Sequence, residues 1–513
     1  MGSFWDLFKA PATTSANQPA ELLPLCAVAP DPEFVCWGLS DVPVKQAPEH
    51  FLSCGTVGSG KTTGIRLFLQ SIAPRFQKSH PREEQLILFD AKGDALPMLD
   101  GMGISPKRRD VWILNPFDER GCKWDIGTAV NSPAMARYLA SLIVPHEPNS
   151  TAPYFNNAAR QIIYWVAVTL TKLKRGRWTL RDLVNALESK KRIMAVCNRF
   201  PRAHAAVSQH CNDTTNFGGV LSTLETKMGQ FHEVAALWHT SRSRRSFSIS
   251  KFLQKRGVLV LGFDPVLKES IAPMNAIILQ ALTNEVLRGA ETTRPRHWFV
   301  LDEFQQMGRV DCIRSLLNVG RSKGASVLLG LQSVEGLREV YGDNAAEDIL
   351  QACSSKTFLR AGGPVTAKWA EEYFNRVRRT ETKVGISFGP SGRSTSYNFD
   401  IQERSLFLPS VFTGLPKPEP GGPFHAINDI PCFRNVIINN WSSDDVFAMC
   451  KKSSDIPGIL RRTKVSEQFL LPWDAKEERD ICDTTSPETP LKKKKSNPGP
   501  TTRKAQKMRR YKH

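Results

Sequence analysis

Gly55-Thr56-Val57-Gly58-Ser59-Gly60-Lys61-Thr62 fits the pattern GxxxxGK[ST] and stands between the apolar run Phe51-Leu52-Ser53-Cys54 and the helix-like Ile65-Arg66-Leu67-Phe68-Leu69-Gln70. A glycine-rich turn between strand and helix aims several backbone N–H groups, and the positive end of the helix dipole, at a bound polyphosphate. Residues Gly55 to Thr63 form the cradle, Lys61 reaches the β- and γ-phosphates, and the Thr62 hydroxyl holds Mg2+. The same letters describe a glycine-rich turn with an exposed lysine, but the strand before and the helix after favour the phosphate reading.

The chain has 513 residues, enough for about two to four folding units with ample core. Its 69 Lys and Arg against 50 Asp and Glu give a net charge of +19, which favours an anionic macromolecular partner. Ten of those cations fall between Lys492 and His513, where there is no acid, so the body is only mildly basic. Eleven cysteines are scattered without a CxxC pair or a Cys/His cluster, which suits a reducing cytoplasm and argues against zinc. The most hydrophobic stretch, Ile162–Leu170, is too short to span a bilayer, and Met1-Gly2-Ser3-Phe4-Trp5-Asp6 lacks the features of a secretory signal. A cytoplasmic protein without a transmembrane segment is expected.

Short β-branched and aromatic runs at Phe51–Cys54, Leu86–Asp90, Val111–Asn115, Val258–Phe263, Trp298–Asp302, Ser326–Gln332 and Lys356–Arg360 alternate with helix-like sequence. Strands apolar throughout, separated by helices, predict an α/β fold with a mostly parallel sheet covered on both faces. The division expected is an N-terminal arm (1–45), the first part of a motor domain with the phosphate loop (46–124), an inserted all-α domain (125–250), the second part of the motor (251–380), a hairpin and loop region completing it (381–475), and a disordered basic tail (476–513). Within the insert, Phe155–Leu173 has the apolar circumference of a central helix, and Thr179-Leu180-Arg181-Asp182 has the spacing of a capping box. The cluster Ser241-Arg242-Ser243-Arg244-Arg245 is a solvated loop or a phosphate contact.

Trp298-Phe299-Val300-Leu301-Asp302-Glu303 is an apolar strand ending in two carboxylates. Strand carboxyl ends gather at the nucleotide edge of such a sheet, so Asp302 is assigned to the Mg2+ shell and Glu303 to the attacking water as general base. Asp90-Ala91-Lys92-Gly93-Asp94 follows the second strand to the same edge. Asp90 is a candidate nucleotide contact or a satisfied turn residue. Gln332 ends an otherwise apolar strand and is placed for the γ-phosphate or its water. Arg321, just before Gly324, is either an arginine finger serving a neighbouring subunit or a helix-terminal cation.

These segments together resemble the type IV secretion coupling proteins, the TraD/TraG/TrwB-like ATPases of conjugative DNA transfer. The likeness rests on Pro48-Glu49-His50-Phe51-Leu52-Ser53-Cys54-Gly55 leading into the loop, on the D-x-K-G-[DE] element at Asp90–Asp94, and on L-D-E-F-x-x-x-G at Leu301–Gly308. It also rests on Gly320-Arg321-Ser322-Lys323-Gly324, Gly330-Leu331-Gln332-Ser333 and Tyr341-Gly342. The resemblance implies a RecA-like P-loop NTPase, an all-helical domain facing DNA, and a hexameric ring. Lys61, Thr62, Asp302, Glu303, Gln332 and Arg321 match the family's motif positions.

The expected function is a DNA-stimulated, Mg2+-dependent ATPase that delivers DNA, single-stranded by expectation, or a relaxase–DNA conjugate to a type IV secretion channel. ATP and Mg2+ are its cofactors; relaxase, secretion components and further copies of the chain are its partners. Family members usually carry N-terminal transmembrane helices, whereas about 45 residues without one precede this motor. Either docking at the cytoplasmic face of the inner membrane is peripheral, or the protein serves a differently organised mobilisation system; the basic tail is a contact for nucleic acid or anionic lipid, or a solubilising segment. Two other readings share the motor residues: a DNA-packaging or segregation motor, and an ATP-switched substrate receptor with little turnover. Glu303 argues against the receptor, which has no need of a water-activating carboxylate.

Overall fold

A computed structural model describes residues 33–482 apart from 125, 147–152, 214, 241–244, 375 and 390–391. The expected arm up to residue 32, the basic cluster but for Arg245, and the tail from 483 onward lie outside the described residues.

Nine strands form the main sheet. In chain order they are β1 (Phe51–Cys54), β2 (Gln85–Asp90), β3 (Val111–Leu114), β4 (Gly257–Gly262), β5 (Thr292–Leu301), β6 (Lys323–Leu331), β7 (Ser355–Phe358), β8 (Pro423–Asp429) and β9 (Ile437–Ser442). Across the sheet the order is β9-β8-β7-β1-β6-β5-β2-β4-β3. β1 to β7 are parallel, while β8 and β9 join by antiparallel pairing.

The apolar runs follow from burial on both faces. In β2, Leu86 and Leu88 enter one core with Val260, Trp298 and Val300, whereas Ile87 and Phe89 enter a second with Leu261, Phe299 and Leu301. This is the two-residue period of a pleated strand. The second core continues without a break into the helical insert through Trp124, Ile126, Leu139 and Ile162.

Helices dominate from Pro133 to His239. The longest, Pro153–Leu173, buries Ala159, Ile162, Ile163, Val166, Ala167 and Leu170, the spacing of one helical face. Thr179 and Asp182 form the capping box that their spacing predicts, with the Thr179 N–H donating to Asp182 at 2.8 Å and the Asp182 N–H donating to the Thr179 hydroxyl at 3.3 Å. At the neck of the insert, Lys123–Trp124 pairs in parallel with Ser246–Phe247.

β8 and β9 pair as an antiparallel hairpin within the region read as hairpins and loops completing the motor, and Pro423 opens β8 and so costs the ladder little. Phe34–Trp37 and Ser40–Pro43 pair as a hairpin whose turn residues Gly38 and Leu39 both have left-handed φ, +54° and +60°. Trp37 packs on Phe51 and Phe68 at 4.9 and 5.9 Å between ring centroids. A helix at Ala475–Cys482 occupies the start of the stretch read as a disordered tail, because Ile481 is buried and Glu477 pairs with the buried Arg181 at 2.9 Å.

From Met449 to Arg462 the chain forms a strap with little regular structure. Gln70, on α1 (Lys61–Ile72), donates to the Met449 carbonyl at 3.1 Å and accepts from the Lys451 N–H at 2.8 Å. The Ser454 N–H donates to the Pro97 carbonyl at 3.0 Å, and Arg462 donates to the Leu237 carbonyl of the insert at 2.8 Å. Gly458 passes so close to the Gly93 carbonyl that a Cβ there would lie 1.7 Å from its oxygen.

His50 ties β1 to its neighbours from a buried position. Its Nε2 donates to the Leu317 carbonyl at 2.7 Å, and its Nδ1 accepts from the Val327 N–H at 3.2 Å, an arrangement that requires the neutral ring. Burial, with a smaller contribution from Arg321, outweighs the Leu317 bond and lowers its pKa from 6.5 to about 4. Since the folded value lies below the unfolded one, this stability is complete above pH 6.5 and is lost as pH falls toward about 4. The loss expected is about 3 kcal/mol. His50→Asn should reduce the acid slope of the thermal midpoint across that window.

Candidate nucleotide-binding site

Both neighbouring strands tie down the root of the phosphate loop. The Gly55 N–H donates to the Leu331 carbonyl at the end of β6 at 3.0 Å, and the Thr56 N–H donates to the Arg360 carbonyl beyond β7 at 2.9 Å. Gly60, at φ +96°, turns the chain into α1; a Cβ there would meet the Phe424 ring at 2.7 Å. No side chain caps α1, so its first-turn N–H groups face the loop's concavity. Lys417 overhangs the loop, its Nζ 3.8 Å from the position a Cβ of Gly58 would take.

The acidic end of β5 lies beside this loop. Asp302 fits there because its neighbour on β6 is Gly330, where a Cβ would sit 2.4 Å from Asp302 Oδ1. Glu303 adopts φ +52°, uncommon for a residue with a side chain, and its N–H donates to Asp302 Oδ1 at 2.9 Å. Its buried Oε1 accepts from Lys61 Nζ at 2.9 Å, and Lys61 lies 3.7 Å from Asp302. Among the described residues Glu303 Oε2, also buried, has no hydrogen-bond partner.

Sequence reasoning assigned no role to Lys92, although the Asp90–Asp94 element contains it. Its ammonium lies 3.0 Å from Thr62 Oγ1, 3.1 Å from Asp302 Oδ2 and 3.4 Å from Glu303 Oε1. Burial opposes its charge, but the Asp302 and Glu303 carboxylates outweigh burial and raise its pKa above the ordinary lysine value. Asp90 turns its carboxylate onto its own loop, accepting from the N–H groups of Gly93 at 2.7 Å, Asp94 at 3.1 Å and Ala95 at 3.3 Å. Burial and the nearby Asp94 raise the Asp90 pKa to about 6 despite those bonds.

Thr62, Lys61, Asp302 and Glu303 therefore meet at one point, with Asp90 shaping the adjacent loop. Gln332 directly follows Leu331, whose carbonyl anchors Gly55, and is half-buried at the same edge. Arg321 stands apart. It precedes β6 at the opposite end of the strand, roughly 30 Å of extended chain from Gln332, and is 57% exposed while donating to Glu49 at 2.7 Å. Beside the loop, a depression of about 240 Å³ is lined by Thr62, Thr63, Arg66, Phe447, Cys450, Lys451 and Lys452.

A hydroxyl and a carboxylate converging on one cation suit a hard divalent metal. The helix N-terminus and lysines suit a polyphosphate, and a buried carboxylate oxygen without a partner suits an attacking water. Sheet order, loop and acidic strand end define a RecA-like P-loop NTPase fold.

A family model for the type IV secretion-system coupling protein DNA-binding domain matches residues 37–434, more than half of the chain. The chain belongs to this family. It is 20% identical over 390 residues to the coupling protein TraD of Escherichia coli K12, covering 74% of this chain and 51% of TraD. It is 26% identical over 163 residues to the type IV secretion system-coupling protein VirD4 of Bartonella quintana, covering 32% and 26% respectively. The chain thus spans about half of the first relative and a quarter of the second. Among solved structures, the unbound bacterial conjugative coupling protein TrwBdeltaN70 aligns with a TM-score of 0.63 at 17% identity, covering 84% of this chain and 92% of that one. Plasmid coupling protein TrwB in complex with ADP and Mg2+ aligns with a TM-score of 0.61 at 17% identity, with the same coverage. These likenesses show the fold.

Gly330→Ala should force Asp302 out of its place. A destabilisation of about 1–3 kcal/mol is expected from the overpacking, read as a lowered denaturant midpoint.

Proposed function

We propose that this chain is a Mg2+-dependent ATPase that drives DNA, or a relaxase–DNA conjugate, toward a type IV secretion channel. One observation carries the reading: Lys61 of the phosphate loop and Glu303 of a distant strand meet at 2.9 Å, leaving Glu303 Oε2 buried and unengaged. The names of the TrwB complexes, one with ADP and Mg2+ and another with a non-hydrolysable ATP analogue, support the choice of nucleotide and metal. The family's DNA-binding description supports the polymer.

In this reading the amides of Gly55 to Thr63 and the Lys61 ammonium hold the phosphates. Thr62 and Asp302 hold Mg2+, which supplies charge neutralisation at the phosphate oxygens. Glu303 Oε2 takes the proton of the attacking water, and Gln332 orients that water against the γ-phosphate. The depression beside Phe447 receives the nucleoside end, with the ring offering a stacking face. Among the described residues no helix is long and apolar enough to cross a membrane.

Arg321 is too far along β6 to serve its own phosphate loop, so its catalytic role requires a neighbour, and a closed ring of six subunits provides one. Its pairing with Glu49 holds the guanidinium until that neighbour arrives. Mixing Lys61→Ala subunits with Arg321→Ala subunits should restore part of the ATPase activity at their shared interfaces. Two inactive parents giving an inactive mixture would remove the assignment in trans.

Glu303→Gln should retain nucleotide binding while lowering turnover by about 10²–10⁴-fold. Binding of a fluorescent ATP analogue and steady-state phosphate release separate the two effects. Turnover measured against protein concentration, with and without single-stranded DNA, tests ring and polymer together: a cooperative, DNA-dependent rise is expected, and activity indifferent to both would overturn the motor reading.

A further inference from the structure

Thr62 Oγ1 and Asp302 Oδ2 both contact Lys92 Nζ, at 3.0 and 3.1 Å. We propose that Lys92 is a built-in counter-cation that holds these two oxygens in the nucleotide-free protein and must leave before a divalent cation can bind them. The proposal rests on the nucleotide site argued above and adds a competitor within the chain itself.

Three features support this role. An ammonium has three donors, and here three oxygens surround it, since Glu303 Oε1 is 3.4 Å away. A hydroxyl and a carboxylate are also the ligand types that Mg2+ takes, at shorter range and with near-octahedral demands. One position between two oxygens cannot serve both cations, and the adjoining cavity, about 30 Å³ lined in part by Thr62, Asp90, Lys92 and Asp302, has room for one ion or water.

Charge balance points the same way. Lys61 and Lys92 face the two carboxylates of Asp302 and Glu303, so their ammoniums offset the attraction of that pair for a free divalent ion, with Asp94 adding a weaker negative field nearby. Removing Lys92 leaves one negative charge in excess beside the ready-made oxygens.

Lys92 also has a way out. Its side chain is 39% exposed, whereas that of Lys61 is 5% exposed. The three N–H groups gripped by Asp90 fix the loop beneath it, so the side chain can swing away while its backbone stays and can return to the same oxygens. Lys92 is thus a positioning residue for Thr62 and Asp302, and Asp90 positions Lys92.

Mn2+ titration of the nucleotide-free protein, followed by the paramagnetic resonance signal of free Mn2+, tests this without turnover. Wild type and Lys92→Arg should bind Mn2+ weakly, whereas Lys92→Met should bind one ion with affinity higher by roughly tenfold or more, as expected for loss of an adjacent like charge. Asp302→Asn added to Lys92→Met should abolish the gain. Lys92→Gln, nearly isosteric and polar, serves as the second variant should Lys92→Met fold poorly, and must show the same gain. Unchanged Mn2+ affinity in a folded Lys92 variant would overturn the proposal. In a separate arm, Lys61→Ala should lose binding of a fluorescent ATP analogue; retained binding there would overturn the nucleotide reading whatever Mn2+ does.

Discussion

A buried ion pair joins two stretches of chain 242 residues apart: Lys61 at the start of α1 and Glu303 at the end of β5. Withdrawing both charges from water is expensive, and replacing such a pair with apolar side chains is often neutral or stabilising. Its presence at the carboxyl edge of a parallel sheet is therefore better explained by chemistry than by stability. The sheet order supplies the approach. β6 lies between β1 and β5, and its Leu331 carbonyl anchors the loop on one side while Gly330 makes room for Asp302 on the other.

Much of this was legible in the sequence because it is local. The phosphate loop carries its own turn chemistry, and the acidic strand end stands out because carboxylates interrupt an apolar run. The capping box at Thr179 was readable for the same reason. What escaped was set by contacts through space. Nothing in the spacing of Asp90–Asp94 says that Asp90 binds its own loop or that Lys92 reaches Thr62 and Asp302. The sequence reading kept open a satisfied turn at Asp90, and its carboxylate does accept three backbone N–H groups. A hairpin region was expected where β8 and β9 lie, but their bounds were not legible because Pro and Gly surround them and their alternation is short. Arg321 and Gln332 lie at opposite ends of β6, which agrees with an arginine read as serving a neighbouring subunit or as a helix-terminal cation, since an extended strand separates its ends further than any other regular structure.

The arrangement divides labour between rigid and movable parts. The loop root, Asp302 and Glu303 are held by backbone hydrogen bonds and close packing, while the long side chains of Lys92 and Lys417 reach in from more open positions. Both of these lysines come from connecting segments, where side chains can shift without disturbing a ladder.

The strap from Met449 to Arg462 touches α1 through Gln70, the segment after β2 through Gly93 and Pro97, and the helical insert through Leu237. Its Gly458 leaves no slack against the Gly93 carbonyl, so a displacement of that loop is felt along the strap. Thermodynamic reciprocity then sets a condition on the whole molecule. To the extent that a ligand gripping the insert and one seated at the sheet edge both bias the strap, each must alter the other's affinity by the same factor.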